Sequence, residues 1–452
     1  MFLPSALSRA CFRADDLVRH RGVWRLYRTL LETERWPRDR IEALRAEKLR
    51  RLVTRAATAS PYWERVFRSK GLLADDVRST SDLAALPPLT REDLREHHDT
   101  ILVRGADGVL PNSTGGSTGS NVRFGVDRNC WQWRDAASLR KWNTMGLAPG
   151  APVVQIWGAP MDATQGLRQR VRFVLDNRRV LSAFALDDQG LKQIAVEIAR
   201  TKPRAVMGYA SVLDLLASKV SSGAIPWDPL PGLVVISASE TLFPEQRRNI
   251  AKALGARVVN LYGCREFGLI AVECHEGGMH LNEERLIVEL VPEPHGQGAR
   301  LQITDLDNLA FPFLKYEIGD LADADETSAC ACGRTLRRLA AVRGRIFDVI
   351  QGPSGQAVGG TFWSLLLRTA VSGIETWQVA QVERDRLEIR STPRGGLSES
   401  GRETVRREVQ KALGENMRVE FRDVDRLETL ASGKHRVVIG LNGKGGPVRE
   451  RT

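Results

Sequence analysis

Ser113-Thr114-Gly115-Gly116-Ser117-Thr118-Gly119-Ser120-Asn121 runs directly into Val122-Arg123-Phe124-Gly125-Val126. From Ser113 to Gly119 every side chain is absent or a small hydroxyl. Missing Cβ atoms let the backbone approach a ligand, successive N–H groups can converge on phosphate oxygens, and hydroxyls add donors that reorient. The loop is therefore a candidate phosphate cradle, although a flexible surface linker has a similar composition and the loop alone does not separate the two. It is not a Walker A loop, which would place Lys and Ser/Thr where Ser120 and Asn121 stand, and it carries no dinucleotide fingerprint. A P-loop leads into a helix, whereas Val122 to Val126 alternates with β-branched residues around an aromatic and predicts a strand.

Outward from this point the pattern becomes regular. Between about 150 and 265 short apolar runs alternate with helical periodicity: Val153-Val154-Gln155-Ile156, Leu191 to Ala199, Ala205-Val206-Met207, Val212 to Val220, Leu233-Val234-Val235-Ile236, Pro244 to Leu254 and Val258-Val259. Such alternation predicts βαβ units around a largely parallel sheet, hence an α/β fold. Residues from about 10 to 100 read as helical, with a capped start at Thr90-Arg91-Glu92-Asp93. From about 280 to 345, stretches such as Leu286 to Leu290 and Leu301-Gln302-Ile303 predict a small β subdomain. Beyond Arg345 strands at Thr376 to Val382 and Arg386 to Ile389, with a helix at Glu403 to Leu413, predict a separate α+β domain of about a hundred residues.

A chain of 452 residues with 42% apolar and 27% charged residues is long enough for two or three domains and typical of a globular enzyme. No run approaches the ~18 apolar residues of a membrane span, and the amino terminus is too soon interrupted by charge for a signal peptide, so the cytoplasm is expected. The net charge is +11, and residues 1–60 hold fourteen Arg and Lys against seven Asp and Glu. That excess reads either as attraction to nucleotide, coenzyme A phosphates or an anionic membrane face, or as the solvated face of an Arg-rich helix whose apolar side carries Leu44, Leu49 and Leu52. No zinc-finger spacing or aromatic-interleaved basic motif points to nucleic acid. Six cysteines in such a length do not read as a disulfide framework. Cys330 and Cys332 form one pair; Cys274, His275 and His280 form a second cluster about fifty residues upstream. Three thiolates and one imidazole would complete a closed tetrahedral zinc site, His280 swinging back on Gly277-Gly278 more readily than His275; reduced thiols without metal are the alternative.

Further segments give the loop its context: Ser237-Ala238-Ser239-Glu240, Tyr262-Gly263-Cys264-Arg265-Glu266-Phe267-Gly268, Tyr316-Glu317-Ile318-Gly319-Asp320, Arg343-Gly344-Arg345-Ile346-Phe347-Asp348 and Ser432-Gly433-Lys434-His435-Arg436. Their order and spacing resemble the adenylate-forming superfamily of acyl-CoA ligases, especially its phenylacetate-CoA ligase branch with the CapK-like members. The resemblance covers nearly the whole chain and is strongest over residues 110–350.

By that resemblance residues 1–347 form a large ATP- and acyl-binding domain and 348–452 a small mobile lid hinged at Asp348. Ser113, Thr114, Gly115, Gly116, Ser117, Thr118 and Gly119 hold the β and γ phosphates of ATP. Glu240 and Tyr262 border the adenine, Glu266 lies near Mg²⁺, Asp320 accepts the ribose hydroxyls and Arg345 lies close to the nucleotide. Lys434 directs its cation at the α-phosphate and the attacking carboxylate. Cys274, His280, Cys330 and Cys332 resemble a cluster that holds structural zinc in part of the CapK-like branch, while Cys264 lines the pocket. Trp157-Gly158 and Gly208-Tyr209-Ala210, which follow predicted strands, are candidate pocket walls or core packing. The resemblance implies a ligase that forms an acyl-adenylate and pyrophosphate and then acylates a thiol, coenzyme A first among acceptors. A homodimer is a further expectation. Adenylyl transfer, an amine or carrier-protein acceptor, and a non-catalytic nucleotide-binding homologue remain alternatives. Two departures bear on this: Arg265 stands where a small hydroxyl is usual, and Ser120-Asn121 where many members carry Lys-Pro.

Overall fold

A computed structural model describes residues 2–113, 122–157, 167–183, 188–292, 298–327, 329–345, 350–353, 357–358, 363, 366–367, 377–392, 398–424, 427 and 438–441. The chain opens with helices α1 (Ser5–Val18), α2 (Val23–Thr33), α3 (Arg38–Ala59) and α4 (Pro61–Ser69), followed by the short α5 (Arg91–Glu96) and α6 (His98–Ile101). Helix α5 starts where the sequence places a cap: Thr90 Oγ1 accepts the Asp93 N–H at 3.1 Å while Asp93 accepts the Thr90 N–H at 2.8 Å. Strands β1 (Leu110–Ser113) and β2 (Arg123–Val126) pair antiparallel, Ser113 opposite Arg123, so the Ser/Thr/Gly segment is the connection of this hairpin. Asp127 then caps α7 (Arg128–Thr144) by accepting the Cys130 N–H at 2.7 Å.

The alternating region builds one half of an eleven-stranded sheet. Strands β3 (Val153–Trp157), β4 (Arg178–Ser182), β5 (Ala205–Gly208), β6 (Val234–Ala238) and β7 (Arg257–Cys264) are linked by α8 (Leu167–Leu175), α9 (Asp188–Thr201), α10 (Ala210–Ser221) and α11 (Pro244–Leu254). Their spatial order is β4-β3-β5-β6-β7 and every pairing is parallel. Strand β5 is buried at all four positions and β6 at all five, because helices cover both faces. One apolar cluster joins Val154, Ile156, Val206 and Val235 to α9 and α10; another gathers Val153, Met207 and Ile236 on the other face. Full burial of each such side chain contributes roughly 1.5–3 kcal/mol.

After β7 the sheet turns antiparallel through β8 (Gly268–Glu273), β9 (Met279–Leu281), β10 (Leu286–Pro292), β11 (Ala299–Asp305), β12 (Tyr316–Asp325) and β13 (Arg338–Arg345), in the order β7-β8-β9-β13-β12-β11-β10. The strands expected as a small β subdomain thus continue the large sheet as its antiparallel wing, closed over Phe124, Phe267, Phe311, Phe313 and Tyr316. The remaining strands are β14 (Ile350–Gln351), β15 (Ala357–Val358), β16 (Trp377–Glu383), β17 (Arg386–Ser391), β18 (Arg418–Asp423) and β19 (Val438–Ile439). A second sheet, β18-β17-β16-β19, packs on α12 (Glu399–Leu413) with its own core of Trp363, Val379, Ile389, Val405 and Val409.

The cationic amino-terminal segment is partly turned inward. Arg45 and Lys48 on α3 are buried, with Arg38 beside them, and they face the buried turn Glu283-Glu284 and Asp307. Lys48 Nζ lies 2.8 Å from Asp307 and also bonds the Glu284 carbonyl. The solvated-helix reading therefore holds for exposed Arg50, Arg51 and Arg55, but not for this inner face, whose cations neutralise the protein's own carboxylates.

Candidate functional site

The strand order reverses beside β3: the connection from β3 goes to β4 on one side, and the next crosses back to β5 on the other. In an open parallel sheet such a switch point leaves a crevice at the carboxyl ends of the strands, the usual place for a ligand. Trp157 ends β3 and Tyr209 follows β5, and their rings meet there with centroids 4.7 Å apart. Tyr209 is buried, so it packs as well as lines; Trp157 is half-buried. Next along the rim is the end of β6. Ser239 adopts φ 69°, a left-handed conformation that costs a non-glycine residue about 1–3 kcal/mol, and the kink presents Glu240 to the start of α10, where its Oε2 accepts the Ser211 N–H at 2.9 Å.

At the end of β7 the Tyr262 hydroxyl donates to Asp320 Oδ2 at 2.7 Å. These residues sit on strands four places apart in the sheet, so the antiparallel wing curls until β12 comes back over the end of β7. Asp320 is also the register partner of Arg345 on β13. The turn after β7 is forced tight: a Cβ on Gly263 would lie 2.3 Å from the Gly268 carbonyl oxygen, and Gly268 adopts φ 68°. Buried Arg134 on α7 braces that turn from below. It donates to the carbonyls of Arg265 (3.3 Å) and Glu266, and Nη2 pairs with buried Asp305 at 3.0 Å. Arg265 itself is exposed and reaches the Ser113 carbonyl with Nη1 at 3.4 Å, joining the turn to the base of the β1–β2 loop. Burial raises the Cys264 thiol well above its ordinary range and the Glu266 and Asp320 carboxylates add to this, so Cys264 stays protonated. Ser113, Glu240, Tyr262 and Glu266 are thus carried on loops and strand ends, and Asp320, midway along β12, is brought to Tyr262 by the curl of the wing. Thr114, Gly115, Gly116, Ser117, Thr118, Gly119, Asp348 and Lys434 lie outside the described residues, as does the side chain of Arg345.

A second constellation lies where β9 meets the segment before β13. The donor atoms of Cys274, His280, Cys330 and Cys332 all fall within 4.8 Å of one another. Cys274 Sγ is 3.6 Å from Cys330 Sγ, and Cys332 Sγ is 3.2 Å from His280 Nε2. His280 Nδ1 faces the Leu336 carbonyl at 3.1 Å, which assigns it the proton and leaves Nε2 as the inward donor. Burial pushes this imidazole down to about 4, so it is neutral at physiological pH. Burial also pushes Cys274 up to about 12; for Cys330, burial is outweighed by the Cys332 N–H and the neighbouring thiols, which lower it. Gly278 keeps the cluster closed, since a Cβ there would stand 2.9 Å from Cys330 Sγ. His275 points away, half-exposed beside Glu276. Three sulfurs and one neutral imidazole form a donor set that fits a thiophilic ion such as zinc.

No family model matches the chain. It is 25% identical over 333 residues to a phenylacetate-coenzyme A ligase of Thermus thermophilus, covering 71% of this chain and 73% of the relative. It is 22% identical over 385 residues to protein CapK of Staphylococcus aureus, covering 84% and 85%. The chain is thus similar to members of the phenylacetate-CoA ligase and CapK branch of the adenylate-forming enzymes. The same fold is seen in 2-hydroxyisobutyryl-CoA ligase in its postadenylation state with 2-HIB-AMP, at 21% identity and a TM-score of 0.68, over 90% of this chain and 91% of that one.

Two features of the site had no signal in the sequence motifs. Arg134 lies far upstream of the turn it braces, and its only local mark is an arginine on the buried side of an otherwise ordinary helix. The switch point depends on strand order, which no local pattern encodes.

Proposed function

We propose that the protein is an ATP-dependent carboxylate ligase that forms an acyl-adenylate and pyrophosphate and then transfers the acyl group to coenzyme A. The observation that carries this reading is the Tyr262–Asp320 bond at the carboxyl end of β7. It sets an aromatic face beside a carboxylate that can accept two vicinal hydroxyls, next to the base of a hydroxyl-rich loop, as a nucleoside with a phosphate tail requires. Glu240 closes the adenine side, and the loop from Ser113 through Gly119 takes the β and γ phosphates. Arg345, opposite Asp320 in the register, approaches the nucleotide from the adjoining strand.

In the first step an oxygen of the carboxylate attacks the α-phosphorus of ATP, and the bond to the bridging oxygen breaks to release pyrophosphate. Lys434 stabilises the charge that builds up at that phosphorus, an effect worth on the order of 3 kcal/mol. In the second step a thiolate attacks the acyl carbon and AMP leaves. Residues 348–452, with their own sheet and core, act as the lid that carries Lys434 and turns about Asp348 between the steps. Glu266, buried at the turn beside the phosphate loop, offers hard carboxylate oxygens to Mg²⁺, which supplies countercharge for the phosphates. Cys274, His280, Cys330 and Cys332 would hold a structural Zn²⁺ that ties the turn between β8 and β9 to the segment before β13. 2-Hydroxyisobutyryl-CoA ligase in complex with 2-HIB-AMP and CoA, with a TM-score of 0.59, is consistent with this chemistry on the shared fold.

The test is carboxylate-dependent ATP–pyrophosphate exchange over a panel of aryl, fatty and hydroxy acids, with Lys434→Ala beside the native chain. Exchange with one class of acid, reduced about 100-fold in the variant, supports the reading. Absence of exchange across the panel with ATP still bound refutes it in favour of a nucleotide-binding homologue. Exchange without CoA ester formation assigns a different acceptor.

A further inference from the structure

The segment from Cys332 to Arg337 belongs to no helix or strand, yet it is fastened almost residue by residue. Gly333 lies so close to Arg35 that a Cβ would stand 2.8 Å from Nη1. The Thr335 N–H donates to the Glu34 carbonyl at 3.0 Å, and its hydroxyl to the Trp36 carbonyl at 2.6 Å. The Arg337 N–H and Nε donate to Glu283, the carboxylate that also holds Arg38. Glu34, Arg35, Trp36 and Arg38 all lie at the corner between α2 and α3. The same segment carries Cys332 and, through the Leu336 carbonyl, faces His280 Nδ1. It is therefore sewn to the helical corner on one side and to the Cys/His cluster on the other.

Arg334 reaches both. Its side chain is 4% exposed, its Nε lies 3.0 Å from Glu34 Oε2, and its guanidinium also donates to Cys332. Arg338 stands likewise between Asp325, at 3.1 Å, and Cys330. Beyond Glu34 comes Arg140 of α7 at 4.0 Å, itself paired with buried Glu284.

We propose, on the reading of Cys274, His280, Cys330 and Cys332 as metal ligands, that Arg334 and Arg338 are positioning residues of that site, and that a thiophilic ion bound there docks the α2–α3 corner onto the sheet through Arg334. Three thiolates and a neutral imidazole around a divalent ion leave one net negative charge. Outward from it the signs alternate, Arg334 then Glu34 on one side and Arg338 then Asp325 on the other. Ligation keeps the cysteines as thiolates, so Arg334, buried away from water, has an anion on each flank only while the site is filled. Coupling of this kind is reciprocal: whatever the bound ion adds to the docked corner, the docked corner adds to metal affinity. Partners behind the ligands typically govern affinity by about 10–100-fold.

The full chain, stripped of metal under reducing conditions, is titrated with Co²⁺ and read on the thiolate-to-cobalt absorption. The double variant Glu34→Gln with Arg334→Met removes both charges, so that no buried carboxylate is stranded, and should bind Co²⁺ at least about tenfold more weakly. Arg334→Lys keeps the cation and should recover most of that loss, which a purely space-filling role would not produce. Hydrogen exchange of the native chain should rise over residues 30–38 when the metal is removed, with β5 and β6 unchanged; in the double variant those residues should exchange fast with or without metal. Native affinity in the double variant, Arg334→Lys no better than the double variant, or a rise confined to residues 274–280 and 330–336 overturns the proposal while leaving the metal site standing. A rise through β5 and β6 also overturns it, since the ion would then hold the whole fold. No thiolate-to-cobalt absorption in the native chain overturns the metal reading itself, and the inference with it.

Discussion

Replacing Glu283 with glutamine should destabilise the large domain by about 3 kcal/mol at neutral pH. Glu283 is fully buried between β9 and β10. It accepts from Arg38 at 2.6 and 2.9 Å, from Arg337 Nε at 2.6 Å and from the Arg337 N–H at 2.7 Å, with Arg45 at 3.6 Å. Burial alone would raise its pKa, but the Arg38 bond and the Arg337 charge outweigh that and bring it from 4.5 to about 2. At 1.36 kcal/mol per tenfold, that displacement is worth about 3 kcal/mol, within the roughly 3–5 expected for removing one partner of a buried ion pair. The sign of the pH dependence follows. Because the folded value lies below the unfolded one, the stabilisation is fully present above pH 4.5 and is lost as pH falls towards 2. Urea unfolding of both proteins should show a gap of about 3 kcal/mol at pH 7 that narrows by about 1.4 kcal/mol per pH unit below 4.5. A gap under about 1 kcal/mol at pH 7, or one that stays constant down to pH 3.5, would show that the arginines do not hold Glu283 as an anion.

At the nucleotide rim, Tyr262→Phe removes a bond to a carboxylate without opening a cavity. It should weaken ATP and AMP alike by about tenfold in calorimetry, with melting temperature nearly unchanged; equal affinities would remove Asp320 from nucleoside binding. Arg265→Thr takes a cation from the base of the phosphate loop, and should weaken ATP several-fold while sparing AMP; a parallel loss for both would mean that Arg265 only holds the turn. Purified protein should contain about one zinc per chain by elemental analysis, and Cys332→Ser should lower both the zinc content and the melting temperature. Full zinc in that variant would place the ion elsewhere. Arg134→Met strands Asp305, buried on β11, and should cost about 3–5 kcal/mol, read as a lowered urea midpoint.

Local chemistry makes much of this protein legible in its residues alone. The apolar runs at Val153, Ala205, Leu233 and Val258 read as buried parallel strands, since neighbours within a few residues decide that. The cap at Thr90 rests on two bonds spanning three residues. The Cys274, His280, Cys330 and Cys332 grouping is visible because tight spacing limits where a thiol or imidazole can go, and the glycines before His280 leave it free to turn. The motif residues point to a nucleotide because each carries the right donor or acceptor for one part of it.

What the chain does not disclose locally depends on strand order and curvature. Tyr262 and Asp320 are 58 residues apart and meet only because the antiparallel wing curls back over β7. Trp157 and Tyr209 become a crevice wall only when the crossover from β4 reverses direction. Arg45 and Lys48 look like surface cations on an Arg-rich helix, and only the docking of α3 against the Glu283-Glu284 turn, more than two hundred residues on, buries and neutralises them. Sequence by itself determined the elements, their capping and the chemical types at the site, because those follow from torsional preference and hydrogen bonding over short range. Tertiary structure decided which of those groups share a rim and which charges are spent inside, because sheet twist and long-range pairing sum over the whole chain.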